Sequence, residues 1–503
     1  APDQYNAYAQ FLLGYSNETQ KGLQYILMTT REWQFGWFAQ DRWQVSKSLT
    51  LSLGVRYEDF PLMTRCCGKG IERYDPATNL VLLGGRGDVP ENAGVTVSHK
   101  LFAPRVGLAY RLGENTVIRA GYGLNYDPLP FSRPLRGFYP LTINSDIVAP
   151  NSLSYAGTLA TGIPPVVGPD LSSGKVPLPG DASERSPYAG ELHRGYVQSW
   201  NFTVERKLPL DLVGSAGYVA QHSVHLTADR DINSGYPGSG TKGLPLNDPL
   251  HNNRTIATNL WDGYLSSSYN SLQLALNRQF SKGLMLKGSY TWSHAINYVD
   301  DDGWASVNWN WAPAFQRNRA TAGYDRTHVF QLGWVYELPV GKNKQYLNSG
   351  VIAQIIGGWQ FSGIESAYTG TPFTVTAPGT SLNAPSNTQT ADQVAPVRFL
   401  GGVGPGTRFY DPASFAPVTQ VRFGTTGRNI LRNTGVWNTD MTIMRTFPIR
   451  ERTQLQFRAE FYNLPNTAHF NNVASGNVTN SNFLRIISSY GERNIRFALR
   501  LQW

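Results

Sequence analysis

The sequence predicts an all-β protein, a transmembrane antiparallel up-and-down β-barrel of about 14 strands with long extracellular loops. Three observations favour this fold class. Polar and apolar residues alternate over segments of about ten residues, the length of a tilted strand that crosses a bilayer. Short turns alternate with long connections along the chain. Aromatic residues cluster at the segment ends, where barrel strands meet the lipid headgroups.

The alternation is most regular in the C-terminal segment 493–503. Apolar residues occupy the odd positions from Ile495 to Trp503, whereas Arg496 and Arg500 occupy even positions. Because successive side chains of a strand point to opposite faces, one face of this strand is apolar and the other cationic. A barrel wall suits such a strand, since one face meets lipid and the other encloses a lumen.

The same alternation recurs in about thirteen segments, and a weaker one at 22–30 brings the total to about fourteen, the even number that such barrels favour. We describe the chain as one barrel domain, 1–503, with a lead-in at 1–21 and strands and loops at 22–503. Counting back from a periplasmic C-terminus places every long connection outside the cell. These loops are expected at 61–99, 128–193, 227–268, 298–323, 370–432 and 465–488.

The composition bounds the function classes. Hydrophobic residues make up 41% of the chain, and no run of eighteen apolar residues supports a transmembrane helix. The net charge of +9 is spread along the chain, so nucleic acid is not an expected partner. A soluble, secreted β-rich protein that binds carbohydrate remains an alternative. Such a fold leaves unexplained why apolar faces oppose Arg, Glu and Gln along whole strands.

The two cysteines, Cys66 and Cys67, are adjacent and cannot join distant parts of the chain. We interpret them as incidental loop thiols or a local ring, since no further soft-metal ligands stand nearby. No enzymatic motif is found, and catalysis is not expected. Asp325, Arg326 and His328 are interpreted as a hydrogen-bond cluster at the start of a strand.

In each segment, the alternate positions that carry polar residues form one face of the strand. The charged residues on this face are expected to face the lumen. Pairs of opposite charge on adjacent strands are predicted to solvate this wall, with anchoring of a plug or polar ligand as the alternative. The expected lumen-facing residues are Arg56, Glu58, Arg105, Arg111, Arg119, Arg458, Glu460, Arg496 and Arg500.

The densest acidic cluster, Asp300, Asp301 and Asp302, lies in an expected extracellular loop. Hard oxygen ligands at close spacing suit a structural Ca²⁺, the one cofactor considered, although the spacing is not that of an EF-hand. A solvated acidic loop is the alternative. Aromatic faces in the loops are candidates for stacking on a ligand. These candidate ligand-binding residues are Trp261, Trp304, Trp309, Trp311 and Tyr368.

Several motifs occur in order along residues 7–503. They include FAQDRW at 38–43, LTLSLGVRYE at 49–58, FAPRVGLAY at 102–110, GSYTWS at 288–293 and FRAEFYN at 457–463. Together they resemble the barrel of a TonB-dependent outer-membrane receptor of the Oar-like subgroup. The end of the chain resembles the signal by which the barrel assembly machinery recognises its substrates. The residues of this assembly signal are Phe497, Leu499, Leu501 and Trp503.

The resemblance implies a 22-strand barrel, of which this chain would be the C-terminal portion, because no plug domain or TonB box is visible. It implies an outer-membrane protein of a Gram-negative bacterium, in contact with lipid, whose loops bind a large or scarce solute. A TonB-type energy transducer would be a partner only if an upstream plug exists. The alternatives are a passive channel and a structural or adhesive barrel that binds a surface protein.

Overall fold

The computed structural model describes residues 4–131, 133–151, 154–301, 306–341, 344–450 and 452–503. One 15-stranded sheet dominates it, and thirteen of its strands follow a single antiparallel path. In chain order these strands are β1 Phe35–Gln44, β2 Leu49–Asp59, β3 Leu101–Leu112, β4 Thr116–Tyr126, β5 Tyr196–Leu208, β6 Leu212–Asp231, β7 Thr258–Ser281, β8 Leu284–Asn297, β9 His328–Glu337, β10 Trp359–Tyr368, β11 Val436–Pro448, β12 Gln454–Tyr462 and β13 Asn494–Gln502.

Each strand of this path pairs with the strand that follows it in the chain, which is the up-and-down topology that the sequence predicts. The weak strand expected at 22–30 does not join the sheet. Instead, Glu18–Gln24 pairs with Thr142–Val148 in a separate two-stranded sheet. Within the described residues, β1 and β13 form the two edges and do not pair with each other.

Short turns connect the strands at one end of the sheet. Leu210 and Asp211 have φ values of 65° and 60°, and Lys282 and Gly283 have values of 50° and 79°. Two consecutive residues with positive φ are typical of type I′ turns, whose twist matches that of the flanking strands. The connection between β9 and β10 is longer than the other turns at this end and contains the helix Gly350–Ile356 (α2).

Two strands extend well beyond the length that a membrane requires. β6 has 20 residues and β7 has 24, about twice the length of a transmembrane strand. The loop expected at 227–268 is therefore partly strand, because the alternating pattern weakens once both faces pack against loops. A bulge lies between Val224 and Thr227, where His225 has a φ of 55°.

The connections at the other end of the sheet fold into what we call the crown, residues 60–100, 127–195, 232–257, 298–327, 369–435 and 463–493. Most buried apolar side chains lie in the crown and in the adjoining parts of β6 and β7, where they form four clusters. The core of the protein therefore lies at the loop end, and both faces of the sheet are largely open.

Short elements hold the crown together. The paired strands are Tyr15–Ser16 with Gly157–Thr158, Glu72–Asp75 with Leu80–Leu83 and Lys175–Pro177, Val95–Val97 with Gly190–Leu192, Pro372–Phe373 with Leu431–Arg432, Asp392–Gln393 with Phe415–Ala416, and His469–Phe470 with Ser489–Tyr490. Glu184–Pro187 pairs with β7, and Ala320–Thr321 pairs with β8.

Helices are few and short. The helices are Gln4–Leu13 (α1), α2, and the 3-10 turns Thr241–Gly243, Pro249–His251, Ala312–Asn318 and Pro412–Ser414. Among the described residues, no helix has the length and apolar character needed to cross a membrane.

Candidate functional site

The register of the sheet places all nine of the expected lumen-facing residues on one face. Directly paired residues point to the same side of a sheet. Gly54 pairs with Arg105, Ala109 with Arg119, and Glu460 with Arg496. Their assignment to a lumen stays a prediction. The nine residues that share this polar face are Arg56, Glu58, Arg105, Arg111, Arg119, Arg458, Glu460, Arg496 and Arg500.

The ion pairs of this polar face differ from the expected pairs across adjacent strands. Arg56 binds Glu58 at 2.7 Å and Arg458 binds Glu460 at 3.3 Å, in each case within one strand. Side chains two positions apart on a strand point the same way, and the long arginine side chain spans the gap. Arg496 instead donates to Asn494 and lies over the Tyr462 ring. Seven arginines against two glutamates leave the set of nine strongly cationic.

Two of the predicted ligand-binding tryptophans are buried, Trp261 in β7 where it packs against the crown and Trp309 within the crown. Trp261 is 2% exposed and Trp309 is not exposed at all. The Trp309 indole donates to the carbonyl of Thr388 at 2.8 Å, and the Arg317 guanidinium lies 5.3 Å from its ring. Both rings are covered by protein, so they stabilise the crown, and stacking on a ligand would require the crown to open.

The remaining aromatic candidates have different settings. Trp311 is half-buried and stacks on Phe423 with a centroid distance of 6.1 Å. Tyr368 ends β10 on the polar face, and the Arg326 guanidinium lies 4.2 Å from its ring. Trp304 lies outside the described residues. The ligand-binding roles of these side chains stay predictions.

The acidic loop uses Asp300 as an internal hydrogen-bond acceptor. Asp300 accepts from the Asn297 side chain at 2.9 Å and from the Gly323 amide at 2.6 Å, and it faces Arg428. Asp302 lies outside the described residues. In the part of the chain that the structure describes, no three acidic, histidine or cysteine side chains gather as metal ligands would. A calcium ion bound by Asp300, Asp301 and Asp302 stays a prediction.

The hydrogen-bond cluster predicted at the start of β9 is confirmed. Asp325 accepts from the Ala295 amide at 2.7 Å and forms an ion pair with Arg432 at 2.5 Å. His328 Nδ1 lies 2.8 Å from the Tyr290 hydroxyl, and Arg326 donates to the carbonyl of Thr369. These contacts join the top of the sheet to the crown.

A buried ionic cluster escaped the sequence analysis. The Asp229 carboxylate, at the upper end of β6, binds Arg133 at 2.8 Å and both Arg136 and Arg185 at 2.6 Å. Arg133 and Asp229 are 96 residues apart in sequence, so no local spacing marks the pair. The cluster ties two stretches of the crown segment 127–195 to the protruding β6–β7 hairpin.

Glu184 is another buried acid that the sequence analysis missed, and it lies in the crown. Its exposure is 1%, and burial raises the pKa of its carboxyl to about 8. The nearby Arg254 directs its guanidinium to Thr258 and to the carbonyls of Pro179 and Ala182. Because burial disfavours the charged form, Glu184 is protonated at neutral pH.

Cys66 and Cys67 are free thiols in the crown, with their sulfur atoms 3.0 Å apart. The hydrogen bond from Cys67 lowers the pKa of the Cys66 thiol, and the same contact raises the pKa of Cys67. The expectation of adjacent loop thiols agrees with this arrangement.

The sheet, the crown and the two contrasting faces agree with a known family. The chain matches the outer membrane beta barrel domain over residues 1–496. Because this match covers almost the whole chain, the protein belongs to the outer membrane β-barrel domain family. Its location is the outer membrane of Gram-negative bacteria, as the sequence predicts.

Solved outer-membrane receptors show a distant similarity. FpvA from Pseudomonas aeruginosa PAO1, bound to pyoverdine, gives a TM-score of 0.45 at 12% identity, and the match covers 94% of this chain and 42% of FpvA. The siderophore receptor PiuA from Acinetobacter baumannii gives 0.44 at 8% identity, with 94% and 44% coverage. This chain spans less than half the length of either receptor. No curated protein matches the sequence.

Proposed function

We propose that this chain is the barrel portion of a TonB-dependent receptor, related to the Oar-like subgroup, that binds a large or scarce solute from the cell exterior. The ordered motifs from 38–43 to 457–463 support the receptor type, and the match to the outer membrane β-barrel family supports the location in the membrane. Uptake would require a plug upstream of this chain, coupled to a TonB-type transducer. Its role is binding and transport rather than catalysis.

The charge of the polar face is the observation that carries the solute-binding role. The nine expected residues on that face are seven arginines and two glutamates. The register adds three basic and three acidic side chains, so the face stays cationic; these are Arg42, Lys207, Lys287, Glu205, Glu337 and Asp440. Low-dielectric walls around an aqueous space focus the field of such a set and raise the local concentration of the opposite charge. We therefore propose an anionic solute, which reaches the polar face through the crown.

Binding of anionic ferric chelates, with ferric citrate as the first probe, tests this proposal. Quenching of tryptophan fluorescence in the detergent-solubilised protein reports the affinity at low and high salt. Arg105→Gln with Arg119→Gln is expected to weaken binding at least tenfold, since it removes two charges from the polar face. Arg206→Gln, on the opposite face of β5, is the matched control and should change affinity less than twofold. Equal affinity in the double variant and the control would contradict the proposal.

A structural or adhesive surface barrel is the second candidate. The crown favours it, because four apolar clusters give the loops a fixed shape that suits a protein partner. The coding sequence upstream of Ala1 distinguishes the two candidates. A plug and a TonB box there would support transport, whereas an unrelated domain would support adhesion. Ion conduction without chelate binding would instead indicate a passive channel.

A further inference from the structure

A cleft of about 870 Å³ lies where the sheet meets the crown. Its floor is one row of paired residues across four strands, Tyr290 with Phe330, Phe330 with Ala367, and Ala367 with Trp437. The small side chain of Ala367 between two aromatic rings leaves a notch in this row. The row belongs to the apolar face of the sheet, opposite the face that carries the arginines.

The roof of the cleft comes from the crown. Phe399 packs edge-on against Phe409 at 5.0 Å, and Phe409 packs edge-on against Tyr410 at 5.1 Å. Val403 and Phe470 complete the apolar lining. The rings hold each other in place, so the cleft exists without a ligand.

The apolar surfaces of the cleft remain exposed although the roof is folded. Phe399 is 65% exposed and Trp437 is 53% exposed. A large exposed patch of aromatic surface marks an interaction site, so an apolar occupant is expected.

The position of the cleft along the membrane normal determines which molecules can reach it. Trp437 and Phe447 are both aromatic residues of β11, and ten residues separate them. That separation is about 34 Å of strand, or about 25 Å along the membrane normal at a tilt near 40°. This matches the height of the apolar band of an outer-membrane barrel. With Phe447 at the short-turn end, Trp437 and the cleft lie where acyl chains of the outer leaflet meet the headgroups.

Polar groups line the edge of the cleft. His328, which is bound to the Tyr290 hydroxyl, lies beside the aromatic floor. Arg432, which is paired with Asp325, and His469 lie at the crown side. An apolar hollow with polar groups on one edge suits a molecule that has an acyl chain and a polar head.

We propose that this cleft binds the acyl chain of an amphiphile from the outer leaflet of the membrane. The chain lies over Ala367 between Phe330 and Trp437, beneath Phe399 and Phe409, and the head group lies toward His328 and His469. The occupant enters from the membrane because the floor belongs to the lipid-facing side. The cleft is separate from the polar face, so it adds a second ligand to the proposed anionic solute.

Photolabelling in vesicles tests the site. A phospholipid with a diazirine in its acyl chain is mixed into vesicles that hold the intact protein, and the labelled peptides are identified by mass spectrometry. The wild-type protein should carry label in 399–410 and 467–470. Ala367→Trp fills the notch and is expected to reduce that label at least fivefold. Ala120→Trp, on the same face between Leu108 and Phe202, is the matched control and should leave the label unchanged.

A competition measurement and a second variant complete the experiment. Added lipopolysaccharide that displaces the label identifies a glycolipid occupant, and label that persists identifies a phospholipid. If Ala367→Trp does not fold, Phe399→Ser with Val403→Ser removes apolar contacts from the exposed roof and should give the same loss. The proposal would be overturned if the label is unchanged in Ala367→Trp or in Phe399→Ser with Val403→Ser. It would also be overturned if the label is confined to the parts of the strands below the cleft. Failure of chelate binding would leave this result intact.

Discussion

At the scale of single residues, the crown depends on a buried carboxylate that several guanidinium groups share. Asp229 is the carboxylate that three arginines share, and neither Asp229 nor Arg133 is exposed. Removing the shared carboxylate from a buried ionic cluster takes away the negative charge that faces the buried guanidinium groups, which costs more than the cluster contributes net. The carboxylate is therefore expected to be the most sensitive polar side chain of the crown.

Replacing Asp229 with alanine should destabilise the crown by about 3–5 kcal/mol, because buried guanidinium groups lose their shared partner. Faster cleavage of the crown in limited proteolysis of the membrane-inserted protein measures this loss. Asp88→Ala, which removes an exposed aspartate of the crown, is the matched control. Equal cleavage rates in the two variants would show that Asp229 does not hold the crown.

The buried carboxyl of Glu184 makes the stability of the crown depend on pH. Burial raises its pKa from 4.5 to about 8. The folded protein therefore holds this proton more tightly than the unfolded chain does. The stability that Glu184 contributes is complete below about pH 4.5 and falls as the pH rises to about 8.

Glu184→Gln should remove this dependence, because glutamine cannot ionise. At pH 9 the variant is expected to be more stable than the wild type by on the order of 5 kcal/mol, with a much smaller difference at pH 5. Thermal unfolding at the two pH values measures the effect. Glu191→Gln changes an exposed glutamate and serves as the control. Parallel pH profiles for wild type and Glu184→Gln would refute the buried-acid account.

At the scale of elements, α2 departs from the short turns that join the other hairpins at its end of the sheet. Val351, Ile352 and Ile355 are 72%, 62% and 62% exposed. Arg445 donates to the carbonyl oxygens of Gln354 and Ile355, and its guanidinium lies over Trp359. This contact fixes the helix beside the apolar face, so its aliphatic side chains continue the surface that meets lipid.

We expect α2 to lie in the periplasmic interface of the membrane. Photoreactive phospholipid should label residues 351–356, whereas the turn at 282–283 should stay unlabelled. Replacing Ile352 and Ile355 by serine should reduce the label, because the aliphatic contact is lost. Gln354→Ser is the control on the same helix. Equal label in the serine variant and the control would place α2 in water.

At the scale of the whole molecule, the alternating pattern predicted the sheet and much less of the crown. Alternation is local, and it marks a strand wherever one face meets lipid and the other meets water, as in β12 and β13. It did not predict that β6 and β7 continue above the membrane, where loops cover both faces. It also suggested a strand at 22–30 for the barrel, although Glu18–Gln24 pairs with a distant loop strand.

The candidate site was predicted unevenly for a related reason. The alternation alone placed Arg105, Arg119 and Arg496 on a common face, because the direction of a side chain in a strand depends only on whether its position is odd or even. Whether Trp309 stacks on a ligand or packs in a core depends on its contacts with Asn387 and Thr388, far away in sequence. Asp229 and the cleft over Ala367 arise only when distant segments meet.

The fold and both proposed sites require that the apolar face of the sheet meets acyl chains while the charged face meets water. Spin labels at 455, 456, 457 and 458 of β12, introduced singly with Cys66 and Cys67 replaced by serine, test it in lipid vesicles. We expect that oxygen reaches positions 455 and 457 and that a water-soluble nickel complex reaches positions 456 and 458. Equal access of the nickel complex to all four positions would contradict it.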